Sequence, residues 1–368
     1  MEPLLMDIDW SSLNSKVVVE IAKRLRSLED FMAFREVCTF WRAAVDKFAP
    51  SSCPRVPLLM LAEGKSSCDD DEREFYSLSK KRTCMRLHLP EAKGKRCFEV
   101  RFGWLLTLTN SGETTLLNPF SNARMELPNF HTLPKYNYIT VPFCFTIDKG
   151  VLSDNPSRTS NFILMAIQNG SFLAFCRPGD RTWTRINSGR AGFLHVNYYK
   201  GSFYAINFHG DIWVWDCNRP IEYARILFSI DERLIRFRQP YLVESSSINN
   251  NGSDDLLLIT RYTHLDEDDD CHETMDFKIF RLNLMRRKLE KIFSLGGEGI
   301  FVGDNAAISI PSTQMKIDGI QGNCIYFTDD CWELYRKFVW GGRDAGRGGG
   351  HDMGVFDIED ETTTLSWC

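Results

Sequence analysis

Residues 9–48 read DWSSLNSKVVVEIAKRLRSLEDFMAFREVCTFWRAAVDKF, and how this stretch is read decides the fold. Leu13, Val17, Ile21 and Leu25 recur every four residues, with Val18 widening the stripe, which is the spacing of an amphipathic helix. Lys16, Glu20, Lys23 and Arg24 lie mostly off that stripe. A second helix is expected from Ser27, whose hydroxyl can cap free backbone N–H groups, with Asp30 three residues on as in a capping box. Phe31, Phe34, Val37 and Cys38 follow, and a third helical piece over 40–48 presents Trp41, Val45 and Phe48. So short a unit buries too little of its own surface, and burying a large apolar side chain is worth roughly 1.5–3 kcal/mol. The stretch reads as a docking module with apolar side chains left for a partner. The competing reading is a helical cap on the domain that follows.

Beyond it the pattern changes. Ala49-Pro50-Ser51-Ser52-Cys53-Pro54 cannot continue a helix, so the domain boundary is expected here, with residues 1–50 as the helical unit, 51–56 as linker and 57–368 as the body. From residue 57 onward, short apolar or alternating runs are separated by turn residues. Strands are expected over 97–102, 104–109 and 114–117. Further strands at 162–167 and 171–176 flank Asn169-Gly170, a dipeptide suited to a type I′ turn. Four strands around an acidic insertion are expected at 241–244, 256–262, 277–282 and 289–293.

Weak internal repetition ties these runs together. Leu116-Leu117-Asn118, Val214-Trp215-Asp216 and Val355-Phe356-Asp357 each end a returning strand, and the closing Asn or Asp predicts an Asx turn. Approaching strands agree in Gly170-Ser171-Phe172, Gly201-Ser202-Phe203 and Gly322-Asn323-Cys324. A period of roughly 35–50 residues, one four-stranded sheet each, points to propeller blades, about six of them, against an irregular β-sandwich.

Two groups of residues carry a family resemblance. Trp10-x-x-Leu13, Val17-Val18-x-x-Ile21-x-x-x-Leu25, Asp30 and Arg35-x-Val37-Cys38-x-x-Trp41-Arg42 resemble the F-box, with Asn14 where that family usually has Pro. Asn caps a helix where Pro would start one. Gly322-Asn323-Cys324-Ile325-Tyr326-Phe327-Thr328-Asp329-Asp330 and Asp352-Met353-Gly354-Val355-Phe356-Asp357 resemble the signature of a domain of unknown function, often described as kelch-like, that follows the F-box in a large plant-type family. The resemblance implies an α + β multidomain chain: a small three-helix F-box followed by an all-β, β-propeller-like domain. It implies docking on a Skp-type adaptor, and through it on cullin and RING subunits of a ubiquitin ligase, with the β-domain as receptor for a protein substrate. The expected adaptor surface is Leu13, Asn14, Val17, Val18, Ile21, Leu25, Phe31, Val37, Cys38 and Trp41, some of which must instead hold the helices together.

Composition bounds the alternatives. The 368 residues are 43% hydrophobic and 25% charged, ordinary for a globular chain, and a formal charge of −5 argues against electrostatic binding to nucleic acid. No run approaches the length of a membrane span. The opening MEPLLMDIDW lacks a signal pattern, so the expectation is nucleus and/or cytoplasm, with the 12 cysteines as reduced structural thiols. The acidic run 266–270, with His264 and His272 nearby, lacks the spacing of a calcium loop. The Gly-rich stretch 341–350 lacks the Gly-Lys-Ser/Thr of a phosphate loop and is expected to be an inter-strand loop. His195, His209 and His351 are dispersed in sequence, and Tyr198, Tyr199, Trp213 and Trp215 are expected in blade packing. No metal, cofactor or catalysis by this chain is expected. A non-degradative scaffold or inhibitor, and a sugar-binding or hydrolytic propeller with clustered central carboxylates, are the rival functions.

Overall fold

The computed structural model describes residues 10, 13–25, 28–48, 57–61, 71–77, 80–133, 147–168, 170, 172–188, 192–219, 224–245, 255–266, 271–304, 307–311, 320–330 and 352–365. Helix α1 (Ser15–Ala22) starts at Asn14, whose side chain accepts from Lys16 N at 2.9 Å, so the cap expected in place of the usual proline is made. Helix α2 spans Leu28–Glu36 and α3 spans Thr39–Phe48; Ser27, the expected cap of α2, lies outside the described residues. Cys38 precedes α3, and its Sγ accepts from Trp41 N at 3.4 Å.

Six sheets follow, and they form the blades of a six-bladed β-propeller. The first is the three strands Leu59–Met60, Glu72–Ser77 and Arg82–His88. The second is Arg96–Glu99, Leu105–Leu108, Thr114–Leu117 and Arg124–Leu127, and the third Ile147–Leu152, Leu164–Gln168, Phe172–Cys176 and Thr184–Arg185. The fourth is Phe193–Tyr199, Ser202–Asn207, Asp211–Asp216 and Arg225–Ser229, and the fifth Arg238–Ser245, Asp255–Asp266, Cys271–Asn283 and Lys288–Ile292. In each of the second to fifth blades the strands pair antiparallel in chain order. The sixth is different: Gly299–Val302 pairs antiparallel with Ala307–Ile310 on one side and parallel with Cys324–Phe327 on the other, followed by Gly354–Asp357 and Thr362–Leu365.

The blades stack through apolar layers, and strand alternation supplies them. In Leu164–Gln168, Leu164 and Ala166 face the second blade while Met165 and Ile167 face the fourth. In the fifth blade Leu242 and Leu258 face the fourth, and Val243 and Ile259 face the sixth. Such strands are buried on both faces, which is why they read as continuous apolar runs rather than alternating ones. A sandwich sheet would leave one face polar. First strands of successive blades lie side by side along the axis: Leu152 N donates to Val100 O at 2.9 Å, and Asn197 Nδ2 to Leu242 O at 2.9 Å. An ion pair, Arg96 with Asp304 at 3.7 Å, joins the second blade to the sixth.

All three expected Asx turns are present. Asn118 Oδ1 accepts from Phe120 N and Ser121 N, Asp216 Oδ1 from Asn218 N, and Asp357 Oδ1 from Glu359 N and Asp360 N. Three local expectations are corrected. Gln168 pairs with Phe172, a register that does not fit a two-residue turn, and Asn169 lies outside the described residues. The strand expected over 97–102 stops at Glu99 because Arg101, Phe102 and Gly103 all take positive φ. The strands flanking the acidic insertion run on to pair Asp266 with Cys271, well past the expected ends at 262 and 277, and 267–270 lie outside the described residues. Strands Arg124–Leu127 and Ile147–Leu152 have no apolar run to announce them.

Candidate functional site

Two regions hold side chains that burial and pairing do not exhaust: the outer face of the helical unit and the propeller axis. In the helical unit, Val18, Phe31, Phe34, Trp41 and Val45 form the core with Met32 and Ala44. The Phe34 and Trp41 rings lie 4.3 Å apart, and Trp41 Nε1 donates to Trp10 O at 3.2 Å. Arg35 holds Asp46 of α3 through two bonds, of 2.7 and 3.0 Å. Three residues expected on the docking surface, Val18, Phe31 and Trp41, therefore belong to the interior. Their periodicity is that of a helix stripe, and a stripe serves core and partner alike.

The same core is closed on one side by the propeller. Met85 and Leu87 of the first blade and Phe120 beyond the second pack on it, and Glu29 pairs with Lys80 at 3.2 Å and Arg82 at 3.4 Å. On the other side the apolar surface stays uncovered. Val37 and Trp10 are each 59% exposed, Val17 46% and Phe40 42%. Leu13, Ile21, Leu25 and Cys38 are half-buried at its margin, and Asn14 is exposed. Trp10 and Phe40 are additions to the expected set. Phe40 adjoins Trp41 on α3, about 100° round the helix from it, and the structure leaves it exposed.

Between the blades and along the axis, the polar side chains are mostly committed. Arg261 is wholly buried: Nη1 reaches Asp330 at 3.0 Å and Thr328 O at 2.8 Å, Nη2 reaches Asp352 at 2.8 Å, and Nε donates to Thr274 Oγ1 at 2.7 Å. Tyr241 OH donates to Asp330. Burial works against the Arg261 charge, but Asp330, Tyr241 and Asp352 outweigh it and raise its pKa. At the far end of the first strands, Arg101 Nη1 donates to Tyr198 O at 2.9 Å and Nη2 pairs with Glu244. Ser245 and Ser309 both donate to Glu298 Oε2, at 2.8 and 2.9 Å. The clustered central carboxylates that a hydrolytic propeller needs are thus tied to Arg261, Arg101 and hydroxyls.

Nothing local announced His195, yet the fold places it here: buried on the first strand of the fourth blade, with Nδ1 accepting from Leu242 N at 3.2 Å. Tyr198 and Trp215 pack on Phe203, as expected of blade aromatics, with Phe203 and Trp215 stacked at 5.7 Å. Trp213 packs edge-on against Phe193. His209 sits in a turn whose backbone Asn207 organises, and His351 and the stretch 341–350 lie outside the described residues.

Both stretches that suggested a propeller-bearing family meet at Arg261. Cys324–Phe327 and Gly354–Asp357 are adjacent strands, with Cys324 opposite Asp357 and Phe327 opposite Gly354. Asp330 follows one and Asp352 precedes the other, so the two carboxylates converge on one guanidinium. Gly354 is required there, since a Cβ would come within 2.5 Å of Thr364 O. Residues 75–357 match the model of the KIB1-4 beta-propeller family. The chain belongs to that family.

This KIB1-4 beta-propeller chain is similar along almost its whole length to proteins named for their F-box. "F-box protein SKIP23" of Arabidopsis thaliana is 23% identical, covering 95% of this chain and 89% of the relative. "Probable F-box protein At4g22060" and "F-box protein At2g26160", from the same plant, are each 21% identical, over 91% and 88% of this chain and 88% and 96% of theirs. An alignment over 95% of the chain leaves too few residues outside it to omit α1–α3. The chain is thus a plant-type F-box protein: a small helical F-box ahead of a propeller.

Proposed function

We propose that the chain is the substrate-recognition subunit of an SCF-type (Skp–cullin–F-box) ubiquitin ligase. Residues 1–50 dock on a Skp-type adaptor, 51–56 connect, and the body over 57–368 holds a target protein for ubiquitination by enzymes that the cullin and RING subunits recruit. The observation that carries this reading is the one-sided burial of the helical unit: the propeller covers the Met85, Leu87 and Phe120 side, while Trp10, Val17, Val37 and Phe40 remain in water. Exposed aromatic and branched side chains gathered on one small unit are the composition of an interface core. The chain's own contribution to the chemistry is proximity, since tethering raises the target's effective concentration near the thioester.

The test is capture of a purified Skp-type adaptor by the full-length chain. Hot-spot truncations cost about 2 kcal/mol or more, close to thirtyfold in affinity. Val17→Asp combined with Val37→Asp is expected to weaken capture at least that much and, both side chains being exposed, to leave thermal stability nearly unchanged. Undiminished capture by the double variant, or no capture by the unaltered chain, overturns the reading.

A further inference from the structure

Lys149 lies on the first strand of the third blade, where the residue is 9% exposed and its Nζ has no hydrogen-bond partner among the described residues. Its ammonium faces the ring of Tyr241, 5.7 Å from the centroid. Tyr241 belongs to the fifth blade, so the two meet across the axis, past the fourth. The fourth blade contributes His195, whose ring stands edge-on to the same tyrosine at 5.9 Å. Three blades thus meet at the Tyr241 ring, and Lys149 Nζ carries hydrogen-bond capacity that the described residues leave over.

The chemistry of that capacity is defined. His195 Nδ1 accepts a backbone N–H, so the ring proton sits on Nε2 and is a donor. Burial first, and the Lys149 charge second, hold the imidazole pKa well below its ordinary value, so the ring is neutral and donates from one nitrogen only. Lys149 has three N–H donors and no acceptor. Stripping an ammonium of water without returning hydrogen bonds is costly. The axial carboxylates do not make up the loss: Asp330 is held by Arg261 and Tyr241, Glu244 by Arg101, Glu298 by two serines and Asp304 by Arg96. What is missing is a group with oxygen acceptors and negative charge.

We propose that Lys149 and His195, backed by the Tyr241 ring, form a binding site for an oxyanion on the propeller axis. The ligand class is a carboxylate or phosphate group small enough to enter between the blades. The ammonium supplies charge and His195 Nε2–H a directional bond. A cation is disfavoured there by Lys149 itself. The rival role for Lys149 is that of a bare counter-charge: Arg261 with two aspartates is net negative by one, and a lysine nearby offsets that without any ligand. The two roles differ in whether an anion binds.

The experiment titrates the full-length chain with inorganic phosphate in one arm and acetate in the other, at constant ionic strength made up with chloride, reading heat and melting temperature. A saturable rise in melting temperature with either anion beyond chloride is expected, and the responding arm tells phosphate from carboxylate. Lys149→Met is expected to weaken that binding at least tenfold and His195→Phe to weaken it less. If Lys149→Met does not fold, Lys149→Gln, which keeps donors but not charge, takes its place with the same expectation. Absence of saturable binding in both arms, or equal binding by the lysine variant and the unaltered chain, overturns the proposal in favour of the counter-charge role. Adaptor capture is independent of either outcome, so the site and the ligase reading fail separately.

Discussion

Glu99 ends the first strand of the second blade, and its Oε1 accepts from the backbone N of Arg101 at 2.9 Å. Arg101 and Phe102 hold positive φ although neither is glycine, a conformation that needs outside support. The Arg101 side chain provides it by crossing to Tyr198 O and Glu244. Burial pushes the Glu99 carboxyl up to about 7, with Arg101 opposing. An acid whose folded pKa exceeds its unfolded value is better tolerated protonated, so its effect on stability is neutral below about 4.5 and unfavourable above 7. Unfolding free energy from urea titration is therefore expected to fall as pH rises from 4.5 to 7, and Glu99→Gln to flatten that slope. An unchanged slope in the variant would remove Glu99 as its source. At this same scale the F-box motif residues divide: Trp41 and Val18 are core, Cys38 caps, Arg35 braces, and Val17 and Val37 remain for a partner.

At the scale of elements, the recurring strand ending is the most legible feature. A short apolar pair followed by Asn or Asp predicted an Asx turn in three blades, and the carboxamide or carboxylate accepts backbone N–H groups in each. Asp357 accepts two, from Glu359 and Asp360, both exposed to solvent, and a typical hydrogen bond contributes about 1 kcal/mol net. Asp357→Ala is thus expected to lower the stability of the propeller by about 1–2 kcal/mol, read from the denaturant midpoint. Asp357→Asn should recover most of it, because Asn118 does the same work in the second blade. Strand Ile147–Leu152 escaped detection for a physical reason. Its Asp148, Lys149 and Gly150 break the apolar pattern because they serve a turn and the axis, with Asp148 accepting from Gly170 N and Gly150 packed close to Val100.

For the whole molecule, the decisive contact is Arg261 with Asp330 and Asp352, residues separated in sequence by 69 and 91 positions (330 − 261 and 352 − 261). It ties the fifth blade to the sixth beside the apolar layer they share, with the guanidinium 4.8 Å from the Phe327 ring. Removing one member of a buried ion network strands the others, at about 3–5 kcal/mol. Arg261→Ala is expected to destabilise the propeller by that amount, while Asp352→Asn, which keeps the acceptor oxygen, should cost less. Equal stability of Arg261→Ala and the unaltered chain, by calorimetry, would show that the charges are solvated rather than buried.

The sequence by itself determined the local features: a capped amphipathic α1, blades of short strands, Asx turns, and apolar runs that demand covering on both faces. These depend on neighbours a few residues apart, whose geometry the backbone dictates. Only the tertiary structure decided which side of the helical unit is left in water, why two signature aspartates matter, and that Lys149, His195 and Tyr241 share one place. Each of those facts depends on side chains from different blades meeting at the axis, or from helix and blade meeting at their boundary, and no periodicity along the chain encodes which distant residues a closed ring brings together.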